Sequence, residues 1–187
     1  MESQSEIRLY LAGPEVFLPN AAEYAERQRE LCRKYGFIGL HPMDNNIDIT
    51  DTSYHTAVKI YRGDVNQIRG CNILVANCKS FRGALIDDGT AYELGFGNAL
   101  GKPSYGYIDR RTSYGKNLQD CGEALFLCSP QLTDRDGFLV TEDFGTIINL
   151  MMQCGMTEHG GRLVHGSFED CLKAIRDDLT RGILTLE

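Results

Sequence analysis

The chain has 187 residues, 42% of them hydrophobic and 24% charged, an ordinary soluble composition that excludes wholesale disorder, collagen and coiled coil. A domain of this size buries roughly 70% of its unfolded surface, so residues 1–187 are read as one domain that folds without disulfide or metal. The net charge of −7, from 26 acids against 19 bases with no Lys/Arg cluster, argues against a nucleic-acid footprint.

In chain order, Ile7–Ala12 is a short β-rich run stopped by Gly13-Pro14, hence a first strand and a loop. Residues 20–35 predict a helix with Ala22, Tyr24, Ala25, Leu31 and Cys32 inside, closed by Gly36. Residues 37–40 form the second strand, 41–53 a polar loop, and 54–69 a second helix. Residues 72–77, apolar on both faces, belong in a parallel sheet covered on each side. A third helix over 90–100 ends at Gly101-Lys102-Pro103, and 104–108 is a further strand. Residues 109–142 form an irregular insert, and 144–154 and 168–180 are two closing helices. This alternation implies a single doubly wound parallel α/β sheet, a flavodoxin-like or Rossmann-like three-layer sandwich.

Seven cysteines stand at 32, 71, 78, 121, 128, 154 and 171 without C-x-x-C spacing. They read as reduced, mostly buried thiols of a cytoplasmic protein. His41, His55, His159 and His165 lie at no ligand spacing near them, so no metal is expected. The N-terminal residues lack the basic and apolar regions of a signal peptide. The apolar stretches are far shorter than the ~20 residues of a membrane helix.

In doubly wound sheets the ligand crevice lies beyond the carboxyl ends of the strands, which selects 12–17, 41–46, 77–90 and 107–115. Gly95-Phe96-Gly97-Asn98-Ala99-Leu100-Gly101 is similar to a dinucleotide fingerprint, yet it sits inside a helix, where its NH groups cannot cradle a pyrophosphate. Close helix-to-sheet packing explains it better.

Asp87-Asp88-Gly89-Thr90-Ala91-Tyr92-Glu93 opens the third helix toward the crevice. Glu93 is expected in its first turn, where the helix dipole favours the ionised form by ~0.3–1 kcal/mol. A fixed, ionised carboxylate facing a cleft is what a glycosyl-transferring nucleophile must be. Two readings stay open here, because Thr90-x-x-Glu93 also has capping-box spacing. Asp64 alone would be a solvated helix acid, and Asp44-Asn45-Asn46 a plain turn.

Together these segments resemble the nucleoside 2-deoxyribosyltransferase family. The resemblance rests on Leu9-Tyr10-Leu11-Ala12-Gly13 with Phe17, Pro42-Met43-Asp44-Asn45, and Asp64-Val65-Asn66-Gln67-Ile68. It continues through Asp87-x-Gly89-x-x-x-Glu93-Leu94-Gly95 and Ile148-Asn149-Leu150-Met151. It implies that Glu93 attacks the anomeric carbon of a 2′-deoxynucleoside, that Tyr10 positions its carboxylate, and that Asp64 shuttles a proton to the departing base. It further implies that Asp87 works with Asp64 on base and sugar, and that Asn46 contacts the base while Phe17 stacks near it. Gly13, Gly89 and Met151 would line the substrate. Asn149 would reach a neighbour's site, implying a homo-oligomer. The implied partners are 2′-deoxynucleosides and free purine or pyrimidine bases, without metal or cofactor.

Two other readings compete. A 2′-deoxynucleoside 5′-monophosphate N-hydrolase needs a phosphate-holding first loop, whereas Gly13-Pro14-Glu15-Val16-Phe17 is acidic and apolar. A non-catalytic nucleoside-binding module would bind without turnover.

Overall fold

The computed structural model describes residues 6–186 except 46, 49, 121–124, 129, 130, 135 and 139–143. In chain order the elements are β1 (Arg8–Ala12), α1 (Ala21–Lys34), β2 (Ile38–Leu40), α2 (Tyr54–Gly70), β3 (Ile73–Asn77), α3 (Asp88–Ala99) and β4 (Ser104–Ile108). There follow α4 (Tyr114–Asp120), β5 (Leu125–Cys128), β6 (Gln131–Asp134), α5 (Leu150–Glu158), β7 (Arg162–His165) and α6 (Phe168–Thr180). Five strands make one parallel sheet in the order β2-β1-β3-β4-β7, while β5 and β6 pair antiparallel outside it. The doubly wound α/β sheet expected from the sequence is therefore the fold.

Strand alternation divides the core. Leu9, Leu11, Ile73 and Val75 turn to one face and pack with Cys32 of α1 and Leu172 and Ile175 of α6. Tyr10, Ala12, Leu74 and Ala76 turn to the other, with Ile68 of α2, Leu94 of α3 and Met156 of α5. The register Leu9↔Ile73 to Ala12↔Ala76 brings the ends of β1 and β3 level. Burial on both faces is why these strands read as continuous apolar runs.

Several details differ from the sequence expectation. In α1 the inner residues are Ala21, Ala25, Gln28 and Cys32, and Ala22 faces solvent; the charged helix shows too few apolar residues to fix its stripe. Gly36, at φ 74°, closes it as expected. The helix expected over 144–154 starts only at Leu150, because Gly145 takes φ 75° and Asn149 caps the helix by accepting from Met151 N at 3.0 Å. Strand β7 was missed: its four residues run exposed, half-buried, buried, exposed, too short a pattern to register. The insert holds α4 and the β5–β6 hairpin. Of the described cysteines, Cys32, Cys71, Cys78 and Cys171 are buried and Cys154 is exposed.

The two helical glycines of the false fingerprint behave oppositely. A Cβ on Gly97 would lie 2.5 Å from Leu74 Cδ1, whereas one on Gly95 meets nothing within 4 Å. Gly97→Ala should therefore destabilise by about 1–3 kcal/mol through overpacking. Gly95→Ala should stabilise by up to about 1 kcal/mol through helix propensity. Thermal melts of the two variants beside the parent check both signs.

Candidate active site

From β1 the chain passes to β2 on one side and then to β3 on the other, so winding reverses between β1 and β3. Ligands of such sheets bind beyond the strand ends at that point. Tyr10, fully buried in β1, faces α2 and α3. Its hydroxyl donates to Glu93 Oε1 at 2.5 Å, across 83 residues of sequence.

Glu93 is the sixth residue of α3, in the second turn rather than the expected first. The capping reading fails. The cap is Asp87, whose Oδ2 accepts from Thr90 N at 2.8 Å and from Thr90 Oγ1 at 3.0 Å. Glu93 is thereby left to Tyr10. The dipole argument is also overturned: burial raises the Glu93 pKa to about 7, the Tyr10 hydrogen bond lowers it, and the nearby Asp64 and Asp87 charges raise it further. Away from the first N–H groups the dipole is weak, and desolvation decides. Tyr10 is itself pushed far up, by burial and then by the Glu93 and Asp64 charges, so it stays a donor.

Asp64 completes the group from α2. Burial raises its pKa to about 6, against a lowering hydrogen bond from Asn45. Asn45 Nδ2 donates to Asp64 Oδ1 at 2.8 Å and to Pro42 O at 2.9 Å, while its Oδ1 accepts from Gln67 Nε2 at 3.0 Å. The Pro42–Asn45 turn is tied down by Asp44, which accepts from His41 N at 2.8 Å and pairs with Arg29 of α1 at 2.7 Å. Sequence reasoning left Asn45 and Gln67 without a role and gave the polar contact to Asn46, which lies outside the described residues. A signal existed in Gly63, beside Asp64 inside a helix. A Cβ there would lie 2.5 Å from Asn45 Cγ, so only glycine lets the turn reach the acid.

The remaining expected residues spread around this core. Phe17 is 58% exposed, stacked on Phe81 with ring centroids 5.7 Å apart, and the Arg82 guanidinium covers both rings. Gly13 follows β1 and precedes the Pro14–Phe17 turn, and Gly89 is the second residue of α3, where a Cβ would stand 3.1 Å from Asp87 Oδ2. Asn149 and the exposed Met151 line a separate cavity of about 410 Å³ with Asp88, Leu85 and Arg110. That cavity does not include Tyr10, Asp64 or Glu93. Among the described residues no three His, Cys, Asp or Glu side chains converge as a metal site. No helix among them is long and apolar enough to cross a membrane.

A shielded, hydrogen-bonded carboxylate next to a second acid with a raised pKa is an arrangement that can serve as nucleophile and proton donor within one group. The chain is 31% identical over 190 residues to a protein of Schizosaccharomyces pombe described as uncharacterized, covering 91% of this chain and 87% of that one. Its fold is similar to a 2-desoxiribosyltransferase from Leishmania mexicana, with TM-score 0.68, 30% identity, and 91% and 97% of the two chains covered. It is also similar to a conserved protein from Enterococcus faecalis, with TM-score 0.60 and 24% identity, over 92% of this chain and 99% of that one; this supports the fold alone. The model of the nucleoside 2-deoxyribosyltransferase family matches residues 9–151, so the chain that holds Tyr10 against Glu93 belongs to the nucleoside 2-deoxyribosyltransferase family.

Proposed function

We propose that this protein exchanges the base of 2′-deoxynucleosides, with Glu93 as nucleophile and retention of the β configuration. The carrying observation is the Tyr10–Glu93 hydrogen bond beside Asp64. Glu93 attacks C1′ as the bond from C1′ to the base nitrogen breaks, giving a deoxyribosyl-glutamate. Asp64 gives its proton to the departing base and takes one back from the incoming base. The second base then attacks C1′ and releases Glu93. Two inversions at one carbon amount to retention. A 2-deoxy sugar stabilises positive charge at C1′ better than ribose, so a carboxylate and one proton donor suffice without metal or cofactor.

In this reading the chain 1–187 works as one domain in the cytoplasm, on small nucleosides rather than nucleic acid or membrane. Asp87, Gly13, Gly89, Phe17 and Asn46 meet sugar and base. Asn149 and Met151 are assigned to a neighbouring subunit's site on the family resemblance. The direct test is chromatography of 2′-deoxyinosine with free adenine. Formation of 2′-deoxyadenosine supports the reading. Release of free base alone, chiefly from a 5′-monophosphate, would favour a hydrolase, and binding without turnover a sensor.

The subunit assignment has its own test. Asn149→Ala and Glu93→Gln should each be inactive alone, and mixing them under subunit exchange should restore part of the activity. If each site uses its own Asn149, mixing restores nothing.

A further inference from the structure

The connection between β1 and α1 carries a carboxylate that the displacement chemistry leaves unused. Glu15 lies in the Pro14–Phe17 turn and is 8% exposed. A carboxylate this buried persists where donors reach it. Asn77 Nδ2 donates at 2.7 Å, Tyr107 OH at 2.8 Å, and Tyr24 OH at a marginal 3.5 Å. All three end on the same oxygen, Oε1.

The other oxygen is different. No donor among the described residues reaches Glu15 Oε2, and the small exposed part of the residue leaves room for one from outside the chain. It lies over Gly13: a Cβ there would stand 2.0 Å from Oε2 and 3.1 Å from Asn77 Cβ. Oε2 thus takes the space a side chain would fill at the end of β1, beside the end of β3. This is the point where winding reverses and ligands of such sheets bind. Gly13 is required there by this close approach, since its φ of 171° suits any residue.

A carboxylate oxygen accepts hydrogen bonds and donates none when ionised. A hydroxyl satisfies it, whereas a phosphate ester meets it with like charge. On the reading that this chain transfers deoxyribose, we infer that Glu15 Oε2 accepts a hydrogen bond from a hydroxyl of the bound sugar. Glu15 is then a specificity-determining residue that admits nucleosides with that hydroxyl free and excludes those in which it is phosphorylated.

Glu15→Gln is the informative variant, because its amide oxygen can keep the Asn77 and Tyr107 bonds while the amide nitrogen replaces Oε2. Steady-state exchange into adenine is measured with 2′-deoxyinosine, its 3′- and 5′-monophosphates, and 2′,3′- and 2′,5′-dideoxyinosine. The wild type should reject at least one monophosphate. In the variant the kcat/KM preference for 2′-deoxyinosine over that monophosphate should fall at least about tenfold, chiefly through KM. The dideoxy analogue lacking that hydroxyl should be insensitive to the substitution. An equal loss on every substrate would mark Glu15 as a pin for the turn and overturn the inference. So would a wild type that accepts both monophosphates as well as the nucleoside, an arm that needs no variant. Calorimetric binding of the same compounds to the wild type reads the selection without turnover. Selective binding without exchange would sink the transferase reading and leave the Glu15 inference standing. Unselective binding, or none, would overturn the inference itself.

Discussion

Base exchange should disappear when Glu93 is replaced by glutamine, with kcat lowered by about a thousand- to a hundred-thousand-fold. The amide keeps the shape of the side chain, and its oxygen can still accept from Tyr10 OH, so only the nucleophile is lost. Acid-quenched wild type incubated with 2′-deoxyinosine alone should carry the deoxyribosyl group on the peptide containing Glu93, and the variant should not. A variant retaining a tenth of the activity would refute the covalent route. The same change should stabilise the fold above neutral pH. Burial raises the folded pKa of Glu93 from 4.5 to about 7, so its contribution is fully present below about pH 4.5 and lost as pH rises through 7. At pH 8 Glu93→Gln should gain up to about 3 kcal/mol over the wild type, and at pH 4 none of that difference should remain. Melts at the two pH values decide it. A site that strains the protein in order to hold a charge would show this pattern, and an ordinary surface acid would not.

The second large effect is on pH dependence. Glu93 and Asp64 lie near 7 and 6 respectively, and the Asp64 charge is among the causes that raise Glu93. The pair should titrate with two apparent values in that range, belonging to the pair rather than to either residue. Below it both are protonated and the nucleophile is gone; above it both are ionised and the proton donor is gone. The profile of kcat/KM is therefore a bell with its maximum between about 6 and about 7. With Glu93 near 7 and Asp64 near 6, the productive form, Glu93 ionised and Asp64 protonated, is the minor of the two singly protonated forms, and the Tyr10 hydrogen bond raises its share by lowering the Glu93 pKa. Asp64→Asn should cost about 10²–10⁴-fold with 2′-deoxyinosine and abolish the alkaline limb. A 7-methylated purine deoxynucleoside, whose base leaves without needing a proton, should escape most of that loss. An unchanged alkaline limb in Asp64→Asn would place the proton donor elsewhere.

The doubly wound sheet, its first four strands and the positions of α2 and α3 were legible in the chain, because buried parallel strands are unbroken apolar runs and their helices end at glycine or proline; the order of the strands across the sheet came only from the structure. Tyr10, Asp64 and Glu93 were also legible as residues, though only through the spacing of motifs that resemble one family. What the local sequence could not decide was which of two partners a side chain takes. Thr90-x-x-Glu93 has the spacing of a capping box, and only the fold shows Asp87 in the cap and Glu93 turned to Tyr10. Strand β7 escaped because four residues carry too little periodicity, although β4 gives it its place in the sheet. The direction of the Glu93 shift was out of reach for a like reason. Helix position favours the anion, but the tertiary structure removes water and brings two more acids close, and desolvation outweighs a dipole that has faded by the second turn. Residue types and their order determined the fold and pointed to the family; the protonation states and the long-range hydrogen bonds came only from packing, because both depend on neighbours tens of residues away.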